Sequence, residues 1–205
     1  MGAKLPDVLA DLRRAEQNED TARIDELRRK LVETFPDAPE SAEASFRLGL
    51  VTLLRDGKPD EAEVRLRLGT KSSNKAVAAQ ARTHLGMLLH RRGKTQQAVF
   101  ELRKVAGRSP PDLWSAQALA LVHLVFREQG NAKEAERARA EQLKLLEQLT
   151  KGEGESQAFA HFFLGMEHKF DGRREPAKRH LELAAKHAAL PAGEKSQVQA
   201  ALRDL

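Results

Sequence analysis

A glycine followed five residues later by an alanine occurs four times in this sequence, each time after apolar residues with helical spacing. Successive glycines are 36, 37 and 42 residues apart, about the length of one helical hairpin, and the last interval contains a polar insertion at 150–156. The sequence therefore predicts an array of helical hairpins. The pairs are Gly57 and Ala62, Gly93 and Ala98, Gly130 and Ala135, and Gly172 and Ala177.

The unit 79–112 shows the physical basis of one hairpin. Gly93 is predicted to end the first helix, because glycine adopts the left-handed conformation that turns the chain. Pro110 is predicted to end the second helix, because proline lacks an amide donor. The small residues Gly86 and Ala98 let the two helices approach closely. The apolar stripes are Leu85, Leu88 and Leu89 in the first helix and Ala98, Leu102 and Val105 in the second.

The residues of this unit carry a family resemblance. The pattern Leu85-Gly86, Leu89, Gly93, Ala98, Leu102 and Pro110 resembles the tetratricopeptide repeat, and so does Leu164-Gly165, Gly172, Ala177, Leu181 and Ala184. Two other units depart from the pattern: Gly49 lies eight rather than seven residues before Gly57, and His123 occupies a slot for a small residue.

The resemblance implies an all-α fold, a right-handed superhelix of about five antiparallel hairpins with a C-terminal capping helix. It implies one domain over residues 1–205. Its expected parts are a degenerate hairpin at 4–36, repeats at about 43–76, 79–112, 116–149 and 158–191, and a cap at 194–205.

Composition agrees with helix and excludes several functions. Residues that favour helices dominate, and aromatic residues make up 4% of the chain. The absence of cysteine excludes disulfides, thiolate catalysis and cysteine-ligated zinc. The net charge of +5 comes from 35 basic and 30 acidic residues. Because the basic clusters alternate with acids, a solvated surface is favoured over nucleic-acid binding.

The sequence also bears on membranes and compartment. No stretch has the length of uncharged apolar residues that a membrane-spanning helix requires. The first residues lack the apolar run of a secretion signal. The expected location is therefore the cytoplasm, and the alternative is the periplasm if a leader has been removed.

In proteins similar to the tetratricopeptide family, the first helices of the hairpins line a concave groove. The resemblance therefore implies a module that binds another protein, here an acidic amphipathic segment that covers an apolar floor and meets arginines with its carboxylates. The alternative for each residue is core packing, the usual role of apolar residues at helical spacing. The expected groove residues are Arg47, Val51, Leu54, Arg55, Met87, His90, Arg91, Leu124, Arg127, Phe159, Phe162, Met166 and Phe170.

No signature of catalysis is present. The sequence has no phosphate-binding glycine loop, nucleophile elbow or His-Glu-x-x-His motif, so we expect no enzyme activity, no cofactor and no metal site. Self-association and nucleic-acid binding through a basic repeat surface are the alternative functions.

Four histidines in the last hairpin form the strongest chemical pattern. His161 and His168 are seven residues apart, as are His180 and His187, so each pair returns to one helix face. Facing pairs would bind a metal ion or sense acid. Packing is the favoured interpretation, because His161 and His168 occupy slots that face the partner helix in the family.

Overall fold

The computed structural model describes residues 3–205, which form eleven α-helices and no β-strand. The predicted all-α class is therefore confirmed. No helix among these residues has the length and apolar character needed to cross a membrane. The helices are α1 Leu5–Gln17, α2 Thr21–Thr34, α3 Pro39–Leu54, α4 Pro59–Gly69, α5 Lys75–Arg91, α6 Thr95–Ala106, α7 Leu113–Glu128, α8 Ala132–Leu149, α9 Gly154–Phe170, α10 Arg174–Lys186 and α11 Ala192–Arg203.

The contacts within the chain divide it between Val105 and Ala106 into two compact units. In the first unit, α1 packs on α2, α3 on α4, and α5 on α6. In the second, α7 packs on α8 and α9 on α10, and α11 lies against both α9 and α10. The expected organisation as one domain over 1–205 stays a prediction.

Local chemistry explains where these helices begin and end. The four predicted turn glycines all have positive φ, namely 64° at Gly57, 73° at Gly93, 72° at Gly130 and 71° at Gly172. That backbone conformation is costly for a residue with a side chain. Helix α7 begins with a capping box, in which Asp112 accepts a hydrogen bond from the Ser115 amide. The predicted turns of the hairpins are therefore present.

In three hairpins a glycine of the first helix lies against a leucine of the second. A Cβ atom added to Gly86 would lie 2.6 Å from Cγ of Leu102, and one added to Gly165 would lie 2.6 Å from Cγ of Leu181. Gly49 has a similar role despite its different spacing, with Leu66 Cγ at 3.2 Å.

The third hairpin closes differently. Here His123 donates from Nδ1 to the carbonyl oxygen of Ala135 at 3.0 Å, so a polar contact joins α7 to α8 at the position of the missing glycine.

The cores are strips of apolar side chains along these hairpins. In the first unit, Phe46, Leu66, Leu85 and Leu89 belong to one buried cluster. In the second unit, one cluster joins α7, α8 and α9, and another joins α9, α10 and α11. Every hairpin thus buries apolar residues against a neighbour within its own unit, as repeat architectures require.

Gly165→Ala is expected to lower the free energy of unfolding by about 1–2 kcal/mol. The added methyl group would clash with Leu181, and the cost of this clash exceeds the gain from the higher helix propensity of alanine. Gly193→Ala is the matched control, since a Cβ there meets nothing within 4 Å. Urea unfolding monitored by circular dichroism measures both variants. Equal stability of the two would contradict the proposed close packing.

Candidate functional site

Half of the phenylalanines in this chain lie on one helix. The sequence has eight phenylalanines, and Phe159, Phe162, Phe163 and Phe170 are all in α9. Three of these four are partly or largely exposed, and the fourth is buried. Helix α9 therefore combines a core face with an aromatic surface.

Phe162 belongs to the core face. It is only 6% exposed and shares a buried cluster with Leu181, Leu190 and Val198, which come from α10, the segment after it, and α11. The prediction that Phe162 lines an open groove is therefore wrong. The physical reason is that α10 and α11 cover this side of α9.

The exposed side of α9 carries Phe159, Phe163, Met166 and Phe170, which we call the α9 stripe. Their spacings of four, three and four residues place them along one side of the helix. Phe170 is 79% exposed, Met166 37% and Phe163 36%, while Phe159 is half-buried. The rings of Phe159 and Phe163 stack with centroids 5.9 Å apart.

Phe163 was not among the residues expected from the sequence. The sequence analysis expected Phe162 in its place. The two positions differ by one residue, which corresponds to a rotation of about 100° around the helix. Spacing alone does not separate the two residues, because Phe162 also lies at helical spacing from Phe159 and Met166.

Helix α7 lies beside α9 in the same unit. Ala116 and Leu119 of α7 share a buried cluster with Ala160 and Leu164 of α9, and both helices are the first of their hairpins, so they run in the same direction. Leu124 on α7 is half-buried, and Arg127 near its C-terminus is exposed. Within residues 3–205, Arg127 takes part in no ion pair.

Ion pairs fix the position of α9. Arg139 of α8 donates to Glu167 at 3.1 Å and to Asp171 at 2.5 Å. Lys169 donates to the carbonyl oxygen of Ala201 at 3.2 Å and to Asp204 at 3.1 Å. The charged residues that alternate with the stripe are thus engaged within the chain, which leaves the apolar side chains as its free surface.

The same contacts control the ionisation of Asp171. Partial burial raises the pKa of its carboxyl, but hydrogen bonds from Arg173 and Arg139 outweigh that effect and lower the pKa overall. The carboxylate stays charged and keeps its bond to α8.

The expected groove residues of the first unit have different surroundings. Arg47 lies 3.7 Å from Glu43, and its guanidinium carbon is 5.3 Å from the centroid of the Phe46 ring. Arg55 donates to Asp25 and to Asp56, each at 3.0 Å. Both arginines are therefore in contact with carboxylates of the chain itself. The sequence analysis had expected them to contact carboxylates of a bound segment.

The remaining expected residues of this unit form a less concentrated apolar surface. Val51, Met87 and His90 are half-buried, and Arg91 and Leu54 are exposed, with Leu54 76% exposed. None of the expected groove residues of this unit is a phenylalanine, in contrast to the α9 stripe. A groove that runs over all the repeats stays a prediction.

The histidines face the partner helix, as the packing interpretation expects. The Nδ1 atoms of His161 and His180 are 3.0 Å apart, and the ring centroids of His168 and His180 are 5.5 Å apart. His187 instead lies with Nε2 at 3.1 Å from Oε1 of Gln157. Among residues 3–205, no group of three or more His, Cys, Asp or Glu side chains is arranged to hold a metal ion.

The pKa values of these histidines are lowered. Burial lowers the pKa of His180 to about 4, with further contributions from His161, His168 and Arg179. Burial is also the main cause of the lowered pKa of His161 and of His168. The three rings are therefore neutral near pH 7 and serve as packing groups. Between His161 and His180, one ring donates a hydrogen bond and the other accepts it.

Acidification is expected to destabilise this hairpin. The unfolded chain binds a proton at His180 near the ordinary pKa of 6.5, and the folded chain only near 4, so stability falls as pH drops between these values. The midpoint of thermal unfolding, measured at about pH 7 and about pH 5, should decrease more in the wild type than in His180→Phe. Identical pH dependence in both proteins would contradict this role of His180.

The eleven helices form an all-α helical repeat fold that resembles the tetratricopeptide type. No protein-family model matches the sequence, and no curated protein matches it. Solved structures do match its fold.

Three such structures have TM-scores above 0.5. PilW, a widely conserved type IV pilus biogenesis factor, has a TM-score of 0.55 at 15% identity over 94% of this chain and 81% of its own. MamA has a TM-score of 0.51 at 18% identity over 98% of this chain and 99% of its own. BtubC from P. vanneervenii has a TM-score of 0.58 at 16% identity over 95% of this chain and 81% of its own. At these identities the likeness concerns the fold.

Proposed function

We propose that this chain is a protein-binding module of the tetratricopeptide repeat family, and that the α9 stripe receives a segment of a partner protein. The observation that carries the proposal is the exposure of Phe163, Met166 and Phe170 side by side on a chain with only 4% aromatic residues. A contiguous apolar surface of this kind marks an interaction site more often than a solvated face.

The energetics of the stripe support this function. Complete burial of one phenylalanine or methionine side chain stabilises a complex by about 1.5–3 kcal/mol. A few aromatic residues commonly contribute most of the binding energy at protein interfaces. Methionine adapts its shape to different partners. The stripe therefore provides anchors that a short segment can cover.

Charge indicates the type of segment. Arg127 lies on α7 in the same unit and is exposed, and a guanidinium binds a carboxylate through two parallel hydrogen bonds. An acidic amphipathic segment would thus cover the stripe with its apolar side and meet Arg127 with a carboxylate. The fold of PilW, MamA and BtubC is compatible with such a module, and no partner is transferred from them.

The same surface supports a binding module better than an enzyme. The stripe has no nucleophile with an adjacent base, and its titratable neighbours Glu167 and Lys169 are held in ion pairs. Location in the cytoplasm stays a prediction.

A pull-down from a lysate of the source cells tests the function. The bait is the intact chain, and the variant is Phe163→Glu with Met166→Glu, which places two carboxylates on the stripe and leaves the buried residue Phe162 itself unchanged. We expect loss of the retained partner, at least tenfold by quantitative mass spectrometry, because burial of a charge without a partner costs several kcal/mol.

Leu183→Glu is the matched control, since Leu183 is a 46% exposed apolar residue on α10 in the same unit. Circular dichroism verifies that all three proteins are folded. If the stripe variant and the control retain the partner equally, the stripe is not the binding surface. Self-association would instead be favoured if the mass of the intact chain in solution rises with its concentration while the stripe variant stays a monomer.

A further inference from the structure

The geometry of the α9 stripe is that of a helix–helix seam. Its four residues follow one another at four, three and four positions, the alternation found where two α-helices pack side by side. From Phe159 to Phe170 the stripe extends about 16 Å, or three helical turns. Successive stripe residues rise by about 5.5 Å along α9, the repeat of one turn of a second helix, whereas alternate side chains of an extended peptide are about 6.7 Å apart.

The two ends of the stripe differ in charge. Glu155 lies four residues before Phe159, on the same side of α9 and in its first turn, and it is exposed. Arg127 lies near the C-terminus of α7, at the same end of the unit as Phe170, since α7 and α9 run in the same direction. Neither residue is in an ion pair within the described part of the chain. An exposed carboxylate thus stands at the N-terminal end of the stripe, and an exposed guanidinium of α7 stands toward its C-terminal end.

The helix dipole selects a direction. The C-terminal end of α9 carries partial negative charge and attracts the positive N-terminal end of a neighbouring helix. Acidic residues are themselves most stable in the first turn of a helix. An acidic first turn placed at the Phe170 end would therefore meet Arg127, while basic residues in the last turn would meet Glu155.

We infer that the partner segment is a single amphipathic α-helix that lies antiparallel to α9, with its acidic first turn beside Arg127 and its basic last turn beside Glu155. This inference rests on the proposed function of the stripe and adds the conformation and direction of the bound segment.

Two labelled peptides test the direction. Each is a synthetic alanine-based helix of about 16 residues with leucines at alternating spacings of three and four. One has two glutamates in the first turn and two lysines in the last, and the other has these charges exchanged. Fluorescence anisotropy at low salt measures their dissociation constants, because salt screens exposed charges.

The second protein is the charge-exchange variant Arg127→Glu with Glu155→Arg, which leaves the apolar stripe intact. The preference for the acid-first peptide over its isomer should fall about tenfold from the wild type to this variant, since two favourable contacts become repulsive. Because the same two peptides are compared on both proteins, differences in their intrinsic helicity cancel.

Three results would overturn the inference. An unchanged preference, with both peptides lost in Phe163→Glu with Met166→Glu, would leave the stripe as a binding surface and exclude the antiparallel direction. A preference for the charge-exchanged peptide in the wild type would indicate a parallel helix. If the wild type binds neither peptide while the lysate pull-down still depends on the stripe, the bound segment is not such a helix.

Discussion

The close contact between a glycine of one helix and a leucine of the next is the constraint on which the best-formed hairpins depend. At Gly86 with Leu102 and at Gly165 with Leu181, the space for a Cβ atom is already occupied by the leucine side chain. The helix axes therefore approach closely, and apolar residues on both sides of the contact become buried. Where the third hairpin has His123 instead, a hydrogen bond to the Ala135 carbonyl group joins the helices. The hairpins thus share one geometry, although the contact that joins their two helices differs between them.

This packing leaves the first helix of a hairpin with two apolar sides. In α9, the side with Gly165 and Phe162 is covered by α10 and α11. Contacts of Arg139 and Lys169 then hold α9 in place from the neighbouring helices. Phe163, Met166 and Phe170 of the α9 stripe lie outside this packing and stay exposed, whereas Phe159 packs in part against the core that α9 shares with α10 and α11. A rigid helix that presents apolar anchors loses little conformational entropy on binding.

The fold was predictable from the sequence to a large degree, because glycines with positive φ mark every turn between the helices of the four main hairpins. The candidate site was less predictable. The inward direction of a helix follows from a pattern only to within a residue, and that error exchanged the buried Phe162 for the exposed Phe163. Internal ion pairs were a second difficulty: Arg55 was expected to be available to a partner, but Asp25 lies 30 positions away in sequence and binds it in the fold.

The most direct test of the α9 stripe uses the methionines of the chain. There are three, Met1, Met87 and Met166, and only Met166 belongs to the stripe. Methyl-labelled methionine gives each a separate signal in an NMR spectrum, recorded for the intact chain alone and with the captured partner at saturation. The proposed function predicts that the Met166 methyl resonance shifts on binding. If the partner is bound while the Met166 resonance is unchanged, the partner docks elsewhere, and a shift confined to Met87 would place it on the first unit.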